Sequence, residues 1–247
     1  MNKGILTGGA IIVAAAVVGW GAMGMLNDDQ TSAPTPLVSQ SQTGGAAAVS
    51  AGSSTDTRAE DYAPQGVYAG MVTKSGGFTG DVLEGSPDAP VTIIEYASLT
   101  CPHCASFHDR IYKPLKESHI DTDKVKFIYR DFPLNNPAIA ASIIARCGGE
   151  DRYLAFVDLF LSQQDQWTRA EDWMGELQKM ARFGGLGADK INECLSDTAL
   201  GQSVIDRYRA GSDVFKVTST PTILIDGEKY TGDMSYTALS EFIDSKL

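Results

Sequence analysis

The run Val91-Thr92-Ile93-Ile94-Glu95-Tyr96-Ala97 stops just short of Cys101-Pro102-His103-Cys104, and no other feature constrains the fold of this chain as much. The run is β-branched and almost continuously apolar, which suits a central strand covered on both faces. Beyond the cysteines, Phe107, Ile111 and Leu115 recur at every fourth position and give a helix with one core-facing stripe. Pro114 lacks a backbone donor and is expected to kink that helix. A bare Cys-x-x-Cys is shared with zinc sites and is not specific. Placed between a buried strand and an amphipathic helix, it points to redox chemistry.

Further along, Val125, Phe127 and Tyr129 alternate with Lys126, Ile128 and Arg130 at strand period. Strand, helix and strand make a βαβ unit, which crosses over right-handed. Two prolines, Pro133 and Pro137, then break the pattern. Residues 138–213 then read as helical throughout, with segments at 138–147, 153–161, 170–182, 188–196 and 199–214. Gly148-Gly149 is a plausible stop for the first of these. Thr222 to Ile225 returns to strand character, Asp226-Gly227 is a hairpin signal, and Lys229-Tyr230-Thr231 is the expected returning strand. Leu239, Phe242 and Ile243 mark a closing amphipathic helix. The order βαβ, helical block, ββα is that of an α/β thioredoxin fold with an inserted all-helical domain. Its core is expected at 81–136 and 214–247 and the insertion at 137–213, within a folded part spanning 67–247.

The N-terminal part reads differently. Lys3, an uncharged run from Gly4 to Leu26, and then Asp28 and Asp29 form the pattern of a segment crossing an inner membrane with its N-terminus inside. The run is long enough to span a bilayer, and Gly21-Ala22-Met23-Gly24 offers no clean A-x-A cleavage site. Residues 1–26 are therefore expected to be a membrane anchor or a signal peptide, the anchor being favoured. Either places the rest in an oxidising compartment, the periplasm, where disulfides persist. Residues 27–66 are mostly Ser, Thr, Ala, Gly, Gln and Pro without apolar period, and read as a flexible low-complexity linker. Val67, Tyr68, Met71 and Val72 are expected to form a short element docked on the domain.

A formal net charge of -11, with no cluster of Lys and Arg, excludes an electrostatic nucleic-acid binder. Of the four cysteines, Cys101 and Cys104 read as a redox pair, while Cys147 and Cys194 read as a structural staple. Four cysteines allow three pairings, and sequence alone does not choose among them. Zinc is the rival for all four, although the second pair lacks short ligand spacing.

Thiol–disulfide exchange needs an accessible thiolate and a second thiol to resolve the mixed disulfide. At a helix start, unpaired N–H groups and the helix dipole favour negative charge on Cys101. Cys104, one turn later, is the resolving partner. Pro102 preorganises the first turn, and His103 is placed to lower the Cys101 pKa through a ring N–H or a positive charge. Thr220-Pro221 precedes the Ile223 strand; in a thioredoxin core a proline there is cis and packs against the cysteines. Its backbone would pair with an extended client as an added strand. Glu95 shares the core-lining face of Ile93, where a buried carboxyl has a raised pKa and can relay a proton to or from Cys104. Arg130 is a conceivable charge partner for it, and escape of the carboxylate to solvent is the competing reading.

Ile94-Glu95-Tyr96, Cys101-Pro102-His103-Cys104, Arg130-Asp131-Phe132-Pro133-Leu134, Gln163-Gln164 before Trp167, and Ser219-Thr220-Pro221-Thr222 resemble DsbA proteins, particularly those of alphaproteobacteria. The resemblance runs from about Asp81 to Leu247. It implies a cofactor-free dithiol oxidant of reduced exported proteins, recharged by a quinone-linked, DsbB-like membrane partner. It carries the roles of Cys101, Cys104, the acid Glu95 and the cis proline Pro221. Thr220 before the proline also occurs in isomerase-like relatives. Some relatives share the extra Cys147 and Cys194 pair, which if bridged closes a loop worth roughly 4 kcal/mol in the chain-entropy picture. The competing functions are an isomerase or reductase on the same fold, and a module that holds copper or zinc between the reduced cysteines and His103. An isomerase usually needs an oligomerisation region upstream, and residues 27–66 are too polar to supply one, leaving 60–80 as the exception.

Overall fold

The structure, a computed structural model, describes residues 70–247. The expected anchor or signal at 1–26, the linker at 27–66, and Val67 and Tyr68 lie outside the described residues. Among the described residues no helix is long and apolar enough to cross a membrane.

Five strands form one mixed sheet: β1 (Leu83–Glu84), β2 (Val91–Ala97), β3 (Val125–Asp131), β4 (Thr222–Ile225) and β5 (Glu228–Lys229), in the order β1-β3-β2-β4-β5. β2 and β3 are parallel and all other pairings antiparallel. The apolar run of β2 is buried at every position, as a strand covered on both faces requires. Alternation assigns Ile93, Glu95, Phe127 and Tyr129 to one face and Ile94, Tyr96, Ile128 and Arg130 to the other. The first face joins the main core through Leu115, Ile223 and Ile243. The second carries a smaller cluster of Ile94, Tyr96, Ile128, Phe132, Val217 and Leu224.

The chain after the cysteines stays helical from Pro102 to Ile120, as α1 (Pro102–Phe107), a π-helical turn (His108–Tyr112), α2 (Lys113–Leu115) and a second π-helical turn (Lys116–Ile120). Pro114 thus acts within a helix that carries π-type turns on either side of it; the missing donor is absorbed by respacing the ladder.

Between β3 and β4 lie α3 (Asn136–Cys147), α4 (Tyr153–Ser162), α5 (Gln164–Thr168), α6 (Trp173–Phe183), α7 (Ala188–Leu195) and α8 (Thr198–Asp213); α9 (Tyr236–Asp244) closes the chain. Side-chain oxygens cap four of these helices: Asn135 accepts from the Ala138 N–H, Asp172 from Gly175, Asp197 from Ala199 and Leu200, and Ser235 from Ala238. The fold is the thioredoxin core with a helical insertion. Asp226 and Gly227 turn the β4–β5 hairpin with φ of 49° and 84°, the left-handed pair a tight hairpin needs. The returning strand stops at Lys229, short of the expected Tyr230 and Thr231, because it pairs at only two positions along β4.

The segment at 70–81 docks on the domain by polar bonds and Phe78, rather than by the apolar residues expected. Met71 and Val72 are 69% and 71% exposed. The Arg146 guanidinium instead donates to the carbonyls of Phe78 (3.2 Å) and Gly80 (2.8 Å), and Arg207 donates to that of Thr79. Ser75 Oγ donates to Asp197 at 2.6 Å, and Asp81 pairs with Arg130 at 2.7 Å. Beneath the segment Cys147 and Cys194 are bonded as a disulfide, with Cα atoms 5.8 Å apart.

Candidate active site

β2 delivers the chain through Ser98–Thr100 to Cys101, whose extended backbone (φ −84°, ψ 117°) makes it the N-cap of α1, with Pro102 in the first turn. The Cys101 N–H bonds to the Ser98 carbonyl at 3.0 Å, and the Cys101 carbonyl accepts from Cys104 at 3.0 Å and Ala105 at 3.2 Å. Both cysteines are free thiols. Cys101 is 6% exposed and Cys104 fully buried, so an incoming sulfur meets Cys101 first.

The two thiols are driven apart electrostatically. A hydrogen bond from the Cys104 thiol, the Thr220 hydroxyl and the backbone N–H groups of Cys104 and His103 lower the Cys101 pKa to about 5, against the opposing effect of burial. Burial pushes the Cys104 thiol far up, and its bond to Cys101 and the nearby Glu95 add to that. His103 reaches the sulfur through its backbone N–H, while its side chain is exposed. The Cys101 Sγ lies 3.4 Å from the Thr220 carbonyl, and the Thr220–Pro221 bond is cis. The Thr220 hydroxyl is buried without a conventional partner, which leaves it available to a thiolate.

Glu95 is fully buried on the Cys104 side of the sheet, and burial first, then the Cys101 charge, raises its pKa from 4.5 to about 8. Arg130 is not its charge partner. The parallel register sets Glu95 opposite Tyr129 and Tyr96 opposite Arg130, so Arg130 points through the other face, to Asp81 and the Tyr96 hydroxyl. Neighbouring strands alone do not bring two side chains together, because positions one apart in register leave opposite faces of the sheet.

A groove of about 550 Å³ opens beside the cysteines, lined by His103, Phe107, Arg110, Pro221, Met234 and Tyr236. Met234 and Tyr236, from the loop into α9, were not expected at the site, since nothing local in their sequence marks them. Gln164 carries no local signal of a role at the site. Its buried amide in fact donates to the carbonyls of Leu99 (2.8 Å) and Cys101 (3.1 Å). Among the described residues no group of three or more His, Cys, Asp or Glu side chains is gathered to hold a metal ion. Cys147 and Cys194 lie in the helical block, bonded to each other and outside this site.

A family model described as thioredoxin matches residues 79–245. A protein of Rickettsia bellii (strain RML369-C), named "Putative protein-disulfide oxidoreductase", is 32% identical over 168 residues, covering 68% of this chain and 64% of its own length. The chain thus spans less than two thirds of the length of the Rickettsia relatives it matches. The crystal structure of Wolbachia pipientis alpha-DsbA1 superposes with a TM-score of 0.62 at 30% identity, over 67% of this chain and 89% of that one. Oxidised BdbD from Bacillus subtilis has the same fold, with a TM-score of 0.60 at 20% identity, over 73% of this chain and 97% of that one.

Proposed function

The chain belongs to the thioredoxin family, in its DsbA-type branch, and from that premise we propose that it is a dithiol oxidase, which passes the Cys101–Cys104 disulfide to reduced exported proteins. The observation that carries this reading is the split between the two thiols: Cys101 is pulled down to about 5 and Cys104 pushed up. A low thiolate pKa stabilises the reduced enzyme, so its disulfide is a strong oxidant. DsbA is itself a standard example of a depressed cysteine pKa; the value here follows from the contacts around Cys101.

The exchange runs in two displacements. In the oxidised enzyme a client thiolate attacks Cys101 Sγ, forming a client–Cys101 disulfide and expelling Cys104 sulfur, which takes up a proton. A second client thiolate then attacks the client sulfur of the mixed disulfide and expels the Cys101 thiolate. The client leaves oxidised by two electrons and the enzyme holds them as a dithiol. Glu95, buried and protonated below about pH 8, serves as the proton source on the Cys104 side. Thr220, Pro221 and the groove beside them receive the client's extended backbone.

A quinone-linked membrane partner of the DsbB kind returns the dithiol to disulfide, and residues 1–26 direct the chain to the periplasm as an anchor or a signal. Thr220 beside the sulfur also favours an isomerase as the second reading, since a hydroxyl there steadies the thiolate an isomerase needs. The full chain, oxidised and mixed with a reduced protein of several cysteines, is expected to transfer its disulfide rapidly, and Cys101→Ala to transfer none. Negligible transfer by the folded, oxidised chain rejects the oxidase, and recovery of a scrambled substrate would then install the isomerase.

A further inference from the structure

Gln164 opens α5, the shortest α-helix of the insertion, far in sequence from Cys101 and Cys104, yet it is only 5% exposed and its side chain ends at the active-site loop. Its Nε2 donates to the Leu99 carbonyl at 2.8 Å and to the Cys101 carbonyl at 3.1 Å. The mount is rigid. Trp167, three positions on in the same helix, is fully buried and donates its indole N–H to the Phe160 carbonyl at 3.0 Å, and Thr168 Oγ1 donates to the Gln164 carbonyl at 2.8 Å.

We propose that Gln164 is a positioning residue for the Cys101 thiolate: the helical insertion uses its amide to hold the loop between β2 and α1, so that the first N–H groups of α1 stay aimed at the Cys101 sulfur. This deepens the oxidase reading and rests on Cys101 being its nucleophile. The N–H groups of His103 and Cys104 stabilise the thiolate only while Cys101 keeps its extended N-cap backbone. That backbone is pinned at three points: its N–H by the Ser98 carbonyl, its carbonyl by the α1 ladder and Gln164, and the preceding turn by Gln164 again at Leu99. Without the amide, the Leu99 carbonyl is left buried and unpaired, and the turn moves to relieve it. The sulfur then loses alignment with its donors, and the thiolate loses stability with no change in any group that touches it.

The test compares Gln164→Met, close in volume but without the amide, with Gln166→Ala, an exposed position on the same helix that leaves the clamp and its mount in place. In the reduced full chain, the far-ultraviolet absorbance of the thiolate is titrated with pH. Gln164→Met is expected to raise the Cys101 midpoint by about 0.5 to 1 pH unit, as loss of one hydrogen bond predicts. The disulfide should weaken as an oxidant against glutathione by about three- to tenfold, while Gln166→Ala changes neither. A folded Gln164→Met with the wild-type midpoint overturns the proposal, as does an equal shift in both variants, which marks general loosening. If Gln164→Met does not fold, the wild-type chain decides. The side-chain amide signals of Gln164, followed by NMR, must shift with the Cys101 titration, and signals that stay flat through it sink the clamp. Because the titration needs no client, a shifted midpoint with no disulfide transfer by the wild type would reject the oxidase reading and leave the clamp standing.

Discussion

Glu95 and Tyr129 lie opposite each other in the parallel pairing of β2 and β3, and among the described residues neither the two Glu95 carboxyl oxygens nor the Tyr129 hydroxyl has a hydrogen-bond partner. A buried ionised carboxylate without a partner is far more costly than the protonated acid. The arrangement therefore stores a proton on the side of the sheet where Cys104 lies, as the proposed exchange requires.

This has a direct consequence for stability against pH. Glu95 titrates at about 8 in the folded chain, against 4.5 ordinarily. The folded state holds the proton longer, so stability is full below about pH 4.5 and falls as pH rises toward 8, by on the order of 3 kcal/mol at pH 7. Burial is the larger cause, so the slope persists in the oxidised chain, where Cys101 does not titrate. Glu95→Gln is expected to flatten the slope in urea unfolding of the oxidised chain and to raise stability at neutral pH. A wild-type slope in the variant would show that Glu95 is already ionised.

Cys101 works in the opposite direction. Its folded pKa of about 5 lies below the ordinary 9.0, so the unfolded chain binds the proton more tightly between these values. The stability that Cys101 contributes to the reduced chain rises with pH from about 5 toward 9 and is lost on acidification through 5. Reduced and oxidised chains should therefore diverge in stability as pH increases through this window. Alkylation of the reduced chain should follow one midpoint near pH 5, and Thr220→Val should move it upward because the buried hydroxyl no longer faces the sulfur. A midpoint near 9 in the wild type would contradict the donor arrangement around Cys101.

The disulfide between Cys147 and Cys194 joins positions separated by 47 residues. Closing a loop of that length restricts the unfolded chain by about 4 kcal/mol. Replacing both cysteines by Ala should lower the unfolding free energy by up to that amount in urea. The thiolate midpoint of Cys101 should not move, because the bond lies outside the site. A changed midpoint would show that the bridge and the active site are coupled through the insertion.

Much of this could be read from residues alone, where a local pattern has one physical cause. The apolar run at Val91–Ala97, the proline behind Cys101 and the Asp226-Gly227 turn each specify backbone geometry without help from elsewhere. That Arg130 faces away from Glu95 could not be read that way, because it depends on the register between two strands and not on either sequence. The docking of 70–81 is hidden for a related reason: Met71 and Val72 are apolar, but the segment is held by guanidinium groups from α3 and α8 that reach its carbonyls. β1 and α5 leave no pattern to read, because two and five residues carry too little periodicity.

The last expectation concerns Arg146, whose side chain is entirely buried and donates through Nε to Asp131 at 2.6 Å, from α3 to the end of β3. Its guanidinium also lies over the Tyr153 ring, 4.5 Å from the centroid, and the Tyr153 hydroxyl donates to the same Asp131 oxygen at 3.1 Å. Arg146→Met keeps the volume but strands a carboxylate in the interior, along with the Phe78 and Gly80 carbonyls that Arg146 served. Losing one partner of a buried pair costs about 3–5 kcal/mol, whereas replacing both with apolar groups is often near neutral. Arg146→Met should thus unfold at much lower urea, and adding Asp131→Leu should recover part of the loss. The recovery stays incomplete because the two carbonyls of the docked segment remain unserved. If the double variant is as unstable as the single one, Arg146 acts chiefly by fastening residues 78–80; full recovery would mean that the ion pair alone sets its contribution.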